Sequence, residues 1–205
     1  MKRVFLAFLC FFGVMQLNAQ EETIDYKFSL DKDGECEIVD TIQYDVSTPD
    51  CYKLIKDWLY KTSNLSLSFT KQKKNEYLSF NNMFYVEKHY NSFSGAYSNN
   101  FMFDCDIRFE GNKLIYKFYN MYLVKSYSGY GITEKKLPVA ERIHKIENAK
   151  VEIKRLQDDK NLSKTERRDA IEEQNEILAD AEILAKCHDH LFKRLTDLIG
   201  MIKWK

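Results

Sequence analysis

One unbroken register near the C-terminus constrains this chain most. From Ala170 through Gln174, Ile177, Ala181, Leu184, His188, Leu191, Leu195, Leu198 and Ile202, positions recur by four and three, the seam of a sustained helix with coiled-coil spacing. Ser163 with Glu166 three residues later is a capping box that opens it. Forty helical residues reach about 60 Å, roughly twice the width of a small domain, so part of the helix must project or meet a partner. Residues 164–183 are charge-rich with a thin seam, whereas 184–203 carry Leu, Phe, Ile and Met. The second half is therefore predicted to lie on a sheet. The first half is predicted to pair with 139–157, where Val139, Ile146, Ala149, Ile153 and Leu156 repeat, as an antiparallel hairpin across the break at 158–162.

The earlier residues supply the sheet. Tyr26, Phe28 and Leu30 alternate before Asp31-Lys32-Asp33-Gly34, a hairpin signal, and Cys36, Ile38, Ile42 and Tyr44 share one parity after it. Thr48 reads as an N-cap, with Pro49 and Asp50 in the first turn of a helix. Cys51, Leu54, Ile55, Trp58, Leu59 and Thr62 form that helix's apolar stripe. Strands follow around Leu65 to Phe69 and Tyr77 to Val86. The cleanest alternation is Phe101, Phe103, Cys105, Ile107 and Phe109, turned by Gly111-Asn112 into Leu114, Tyr116 and Phe118. A strand pair, a helix, a meander of about four strands and two final helices predict an α+β fold: an antiparallel sheet with helices on one face. Only two prolines and seven glycines occur, so no long flexible linker is expected.

The N-terminus reads as a secretory signal peptide over residues 1–19. Lys2 and Arg3 precede an apolar run from Val4 to Met15, and a small-residue exit ends at Ala19. The run is too short for a membrane span, which needs about 20 apolar residues. The sequence holds 31 basic and 31 acidic residues; loss of Lys2 and Arg3 leaves a mature charge of −2. No strong field of one sign exists, which argues against nucleic-acid partners. No later apolar run is long enough to span a bilayer.

Several stretches resemble a known family: "DKDGE", "VSTPDCYKLIKDWL" with its Leu54 and Trp58, "EGNKLIYKFYN" and "LFKRLTDLI". They are similar to a secreted bacterial domain-of-unknown-function family with a TBP-like fold, found in exported proteins of gut Gram-negative bacteria. The resemblance covers roughly 22–125 and 184–203. It implies a curved sheet with helices on one face, formed by 20–133 and 184–205, with 134–183 as an inserted helical arm. It implies no activity, and fold alone does not import nucleic-acid binding.

The chemistry-bearing residues give few catalytic signals. Cys51 sits at a helix N-terminus, which can activate a thiol. It also lies on the apolar stripe, between the acidic Asp50 and Asp57. The four cysteines after the signal segment are Cys36, Cys51, Cys105 and Cys187, either buried thiols or disulfide partners, with Cys36–Cys105 the pair to test. Cys187 with His190, and Glu141 with His144, have metal-chelating spacing, but each pair lacks further ligands; no metal or cofactor is expected. The Tyr-, Ser-, Asn- and Gly-rich segments 89–100 and 126–131 combine rigid rings with adaptable polar groups. Tyr90, Phe93, Tyr97, Tyr127 and Tyr130 are the candidate binding residues.

These observations predict an exported periplasmic or envelope-associated module that is not an enzyme. Its partner would be an envelope protein or glycan. The alternatives are an enzyme using Cys51 as a thiol, and a homodimer joined through the helical arm.

Overall fold

The computed structural model describes residues 28–63, 65–91, 95–128 and 132–203; the signal peptide expected at 1–19 lies outside them. The elements are β1 (Ile38–Gln43), α1 (Thr48–Thr62), β2 (Ser66–Lys73), β3 (Tyr77–Asn91), β4 (Gly95–Glu110), β5 (Lys113–Ser128), β6 (Ile132–Pro138), α2 (Val139–Asp158) and α3 (Lys164–Lys203). The fold is α+β. A curved six-stranded sheet runs in the order β1-β5-β4-β3-β2, with β6 also on β5, and every pairing is antiparallel.

The alternation read from the sequence sets the two faces. Phe101, Phe103, Cys105, Ile107 and Phe109 of β4 are all buried, as are Leu114, Tyr116 and Phe118 of β5. Further along β5 the parity has to reset. Asn120, at φ +48°, begins a bulge in which Asn120 and Met121 oppose Phe103 alone. Met121 and Leu123 thereby return to the same core as Phe118. The bulge also divides one edge of β5: β1 pairs with 113–118 and β6 with 122–128.

The two-residue connection Gly111-Asn112, with Gly111 at φ +61°, closes β4 onto β5. Tyr44 Oη donates to the Gly111 carbonyl at 2.6 Å and tethers the start of α1 to that turn. The N-cap of α1 is Ser47, not Thr48: its Oγ accepts from the Asp50 amide, while its own hydroxyl donates to the Asp50 carboxylate. Ser47 is extended, at φ −64° and ψ 150°, and so can direct its side chain at the first turn.

The hairpin expected around Asp31–Gly34 does not form. The turn is present, with the Asp31 carboxylate accepting from the Asp33 and Glu35 amides, but residues 28–30 carry no strand. Phe28 instead stacks on Phe101 at 5.6 Å and meets His188 edge-on at 5.3 Å. β1 takes its ladder from β5.

Helices α1 and α3 cover the aromatic face. Cys51, Ile55 and Leu59 enter the core from α1, and Leu184, Cys187, Leu191, Leu195, Leu198 and Ile202 enter from α3. The helices meet where Arg194 donates to the Thr62 carbonyl while its guanidinium lies 4.7 Å over the Phe84 ring.

α3 runs unbroken for 40 residues, opened by the reciprocal Ser163–Glu166 bonds. The stretch expected as a helical arm, 134–183, contacts the sheet over part of its length. Residues 134–138 belong to β6, and Val139, Ile143, Ile146 and Ala181 join the main core. β6 shows no hydropathy alternation because Thr133 to Lys136 are all exposed; backbone pairing alone makes it a strand. The free part of the hairpin is 147–176, where Ala149 and Leu156 are buried but stand outside the main cluster.

A buried ion group fixes the arm's root. Asp180 on α3 is fully buried, 2.6 Å from Lys125 Nζ on β5 and bonded to Arg142 of α2. Three elements thus meet on one carboxylate. Replacing Asp180 with Ala leaves two cations facing an apolar root. The predicted loss is about 3–5 kcal/mol, read as a lower urea midpoint with an unchanged slope.

Candidate functional site

The helices occupy one face, so a ligand has either the interior beneath them or the opposite face. The interior offers little. A cavity of about 20 Å³ lies among Trp58, Phe80, Asn82, Phe103, Leu195 and Leu198, enough for about one water and for no organic ligand.

The opposite face is different. On β4, Ser98 and Asn100 have the parity opposite to Asn99 and Phe101, and so point away from the helices. Ser98 pairs with Ser126 of β5, which pairs with Glu134 of β6. On β3 an irregularity between Tyr85 and Glu87 changes the register. Glu87 thereby turns to the helix side and binds Lys186 of α3. Tyr85 and Lys88 border the helix-free side, with the ammonium 5.6 Å over the ring. Together these groups line a cleft of about 330 Å³, with Met83 on one wall and Glu134 on another. That volume lies at the low end for small-ligand clefts.

The floor is built from buried polar groups. Asn100 is 3% exposed, and its Nδ2 donates to Ser98 Oγ at 3.3 Å and to Ser126 Oγ at 3.2 Å. Ser128 exchanges hydrogen bonds with the Ala96 backbone at the cleft's end. Tyr97 and Tyr127, cross-strand partners with the parity of Asn99 and Phe101, stack at 6.3 Å with 28° between planes on the other side of the same strand ends, so they touch the cleft's rim and not its floor. They are 41% and 50% exposed.

Of the expected binding residues, the structure brings Tyr97 and Tyr127 together. The Tyr90 side chain, Phe93 and Tyr130 lie outside the described residues. The Tyr-, Ser-, Asn- and Gly-rich segments are largely strand ends: 89–91 belong to β3, 95–100 to β4 and 126–128 to β5. Their Ser, Asn and Gly content suggests turns, but cross-strand pairing extends both hairpins. Sequence reasoning missed Tyr85, Lys88, Asn100 and Glu134. The available signal was polar Ser98 and Asn100 at alternate positions just before an apolar strand.

The cysteines do not form a reactive site. Cys36, Cys51, Cys105 and Cys187 are buried free thiols. The Cys36–Cys105 bridge is absent because β5 lies between them: Phe118 is the partner of both Ile38 and Cys105. Two strand spacings are about 9.6 Å, beyond the reach of about 7 Å for a disulfide. Cys36 Sγ instead rests 3.9 Å from Met121 Sδ.

Burial pushes the Cys51 thiol up to about 12. Burial, reinforced by Asp31, Glu35 and Glu37, takes Cys36 to about 11. Cys105 and Cys187 are raised by burial as well. Among the described residues no group of three or more His, Cys, Asp or Glu could hold a metal ion. His190 stacks on Phe84 and His188 on Phe192, both as packing groups. Glu141 pairs with Lys145.

No protein-family model matches the chain, and no curated protein matches it. Two solved structures are similar. One is a DUF4468 family protein from Bacteroides ovatus, 10% identical, with a TM-score of 0.41, covering 83% of this chain and 89% of that one. The other is a TBP-like protein from Parabacteroides distasonis, 12% identical, with a TM-score of 0.46, covering 84% and 97% respectively.

The thiol environment gives a pH dependence. An unfolded cysteine titrates near about 8.5. Below that pH both states hold the proton and the contribution to stability is complete. Above it the unfolded chain releases protons that folded Cys51 and Cys36 retain, so stability falls as pH rises toward about 11. The urea midpoint is therefore predicted to decline from pH 8.5 upward. Native thiols should alkylate far more slowly than urea-unfolded ones. Rapid native labelling of Cys51 would contradict its burial.

Proposed function

We propose that this chain is an exported, non-enzymatic binding module that engages a cell-envelope component through the cleft on the helix-free face. The observation that carries the reading is the cleft itself: about 330 Å³ over a polar floor of Ser98, Asn100 and Ser126, with Tyr85 on its wall and the exposed Tyr97–Tyr127 pair at its rim. An exposed ring beside adaptable hydroxyl and amide groups is recognition chemistry. The signal-peptide pattern at 1–19 supports export, and among the described residues no helix is long and apolar enough to cross a membrane. The buried thiols of high pKa supply no nucleophile for the thiol-enzyme alternative.

A photo-crosslinking side chain at position 85, in cells carrying the full-length chain, tests the proposal. The expected result is a discrete adduct in the envelope fraction, lost when Ser126 is replaced by Ala with the melting temperature unchanged. A crosslinker at Tyr60, 63% exposed on α1, should give no such adduct. Equal labelling from both positions, or recovery of the chain in the cytoplasm alone, would contradict the proposal.

A second reading, self-pairing through the arm, is favoured by one observation. Val151 is 69% exposed and borders a groove that Ala149 and Ile177 also line. Sedimentation of the mature chain, with and without a short turn replacing 150–173, decides it. A dimer that becomes a monomer on shortening supports pairing; a monomer in both cases removes it.

A further inference from the structure

We infer that the cleft takes a neutral saccharide, and that Asn100 is the positioning residue that sets the direction of its hydrogen-bonding floor; the inference rests on the cleft being the binding site.

The argument begins with proton direction. A serine hydroxyl has one hydrogen to donate and two lone pairs to accept with. Ser98 Oγ and Ser126 Oγ each accept from the same Asn100 amide nitrogen. Neither hydroxyl hydrogen can then point at Asn100, and among the described residues neither has an acceptor. Ser98 and Ser126 are direct cross-strand partners, which sets them about 5 Å apart. The floor therefore presents two O–H donors at that spacing, each oxygen keeping a lone pair. Asn100 itself is almost fully buried, and its Oδ1 has no donor among the described residues. Such a group calls for an explanation, and a ligand-directed floor provides one.

The ligand that matches is rich in hydroxyls, donating and accepting in alternation, with apolar C–H faces for tyrosine rings. Tyr85, the cross-strand partner of Asn100 and so on the floor's own face, supplies such a ring. The walls carry one lysine and one glutamate, Lys88 and Glu134, so a strongly charged ligand of either sign would meet its own charge. An extended peptide would need a free strand edge. β4 lies between β3 and β5, and β5 is paired on both sides, so the floor offers no such edge.

The test uses the mature chain, residues 20–205. It is titrated separately with soluble hexasaccharides of glucose, mannose and N-acetylglucosamine, and with a neutral Ser- and Tyr-containing hexapeptide. Amide NMR shifts of Ser98, Asn100 and Ser126 are followed. At least one saccharide should move these signals saturably. Asn100→Asp keeps the volume of the side chain but makes it accept from both serines, turning their hydrogens inward. It is expected to weaken saccharide affinity about tenfold or more, with circular dichroism unchanged. Ser126→Ala, which leaves Asn100 in place, should also weaken binding, whereas Tyr60→Ala should not. If only the peptide moves the signals, the saccharide class is overturned while the cleft stands as a binding site. If no probe moves them, the saccharide class is overturned, and the envelope crosslink alone decides whether the cleft binds a partner. Unchanged affinity in a folded Asn100→Asp chain overturns the positioning role alone.

Discussion

The aromatic rows of β3, β4 and β5 must be kept from water, and the rest of the molecule follows from how that is done. Phe84 lies 5.5 Å from Phe101 and 6.1 Å from Phe103, and Phe103 lies 5.2 Å from Phe118. Burial of each such side chain is worth about 1.5–3 kcal/mol, so an uncovered row would not stay folded. α1 is too short to cover it, and α3 supplies the remainder. One face of the sheet is committed to the core. The other carries Ser98, Asn100 and Ser126, residues that could not sit beneath a helix without partners.

α3 performs two tasks because its composition changes along its length. From Ala181 onward, Leu184, Leu191, Leu195 and Leu198 anchor it to the sheet. Before Asp180 it is held mainly by α2. The carboxylate of Asp180, joined to Lys125 and Arg142, marks the boundary. An ion group at such a junction fixes where the helices leave the sheet more than it adds to net stability. The same end of the molecule carries the Tyr97–Tyr127 stack, so arm and cleft both belong to the region where the long hairpins outrun the main core.

Much of this was legible in the sequence. The buried parity of Phe101 to Phe109, the unbroken final helix and the Ser163 capping box are local patterns that the structure repeats. The departures were not local. β6 has no alternation and exists because β5 offers an unpaired edge beyond the bulge at Asn120. The hairpin signal at Asp31–Gly34 is real as a turn, but β1 gains a better-matched partner in β5 than in residues 28–30. The cleft was legible only in part. Tyr97 and Tyr127 stood out by composition, but Asn100 acquires meaning from two serines, one of them 26 positions away. Pairing over that distance depends on a register that the bulge between Met102 and Asp104 resets. The separation of Cys36 from Cys105 is likewise a fact of strand order, invisible to parity.

Division of labour between the two sheet faces, and between the two halves of α3, is most directly tested by native-state hydrogen exchange on residues 20–205. Amides of 184–198 and of the central turns of β4 and β5 should exchange only through global unfolding, and amides of 164–176 through a cheaper local opening. Equal protection along the whole of α3 would show that the arm belongs to the core. Fast exchange at 184–198 would show that the aromatic face is not roofed as described, and the assignment of the opposite face to binding would lose its foundation.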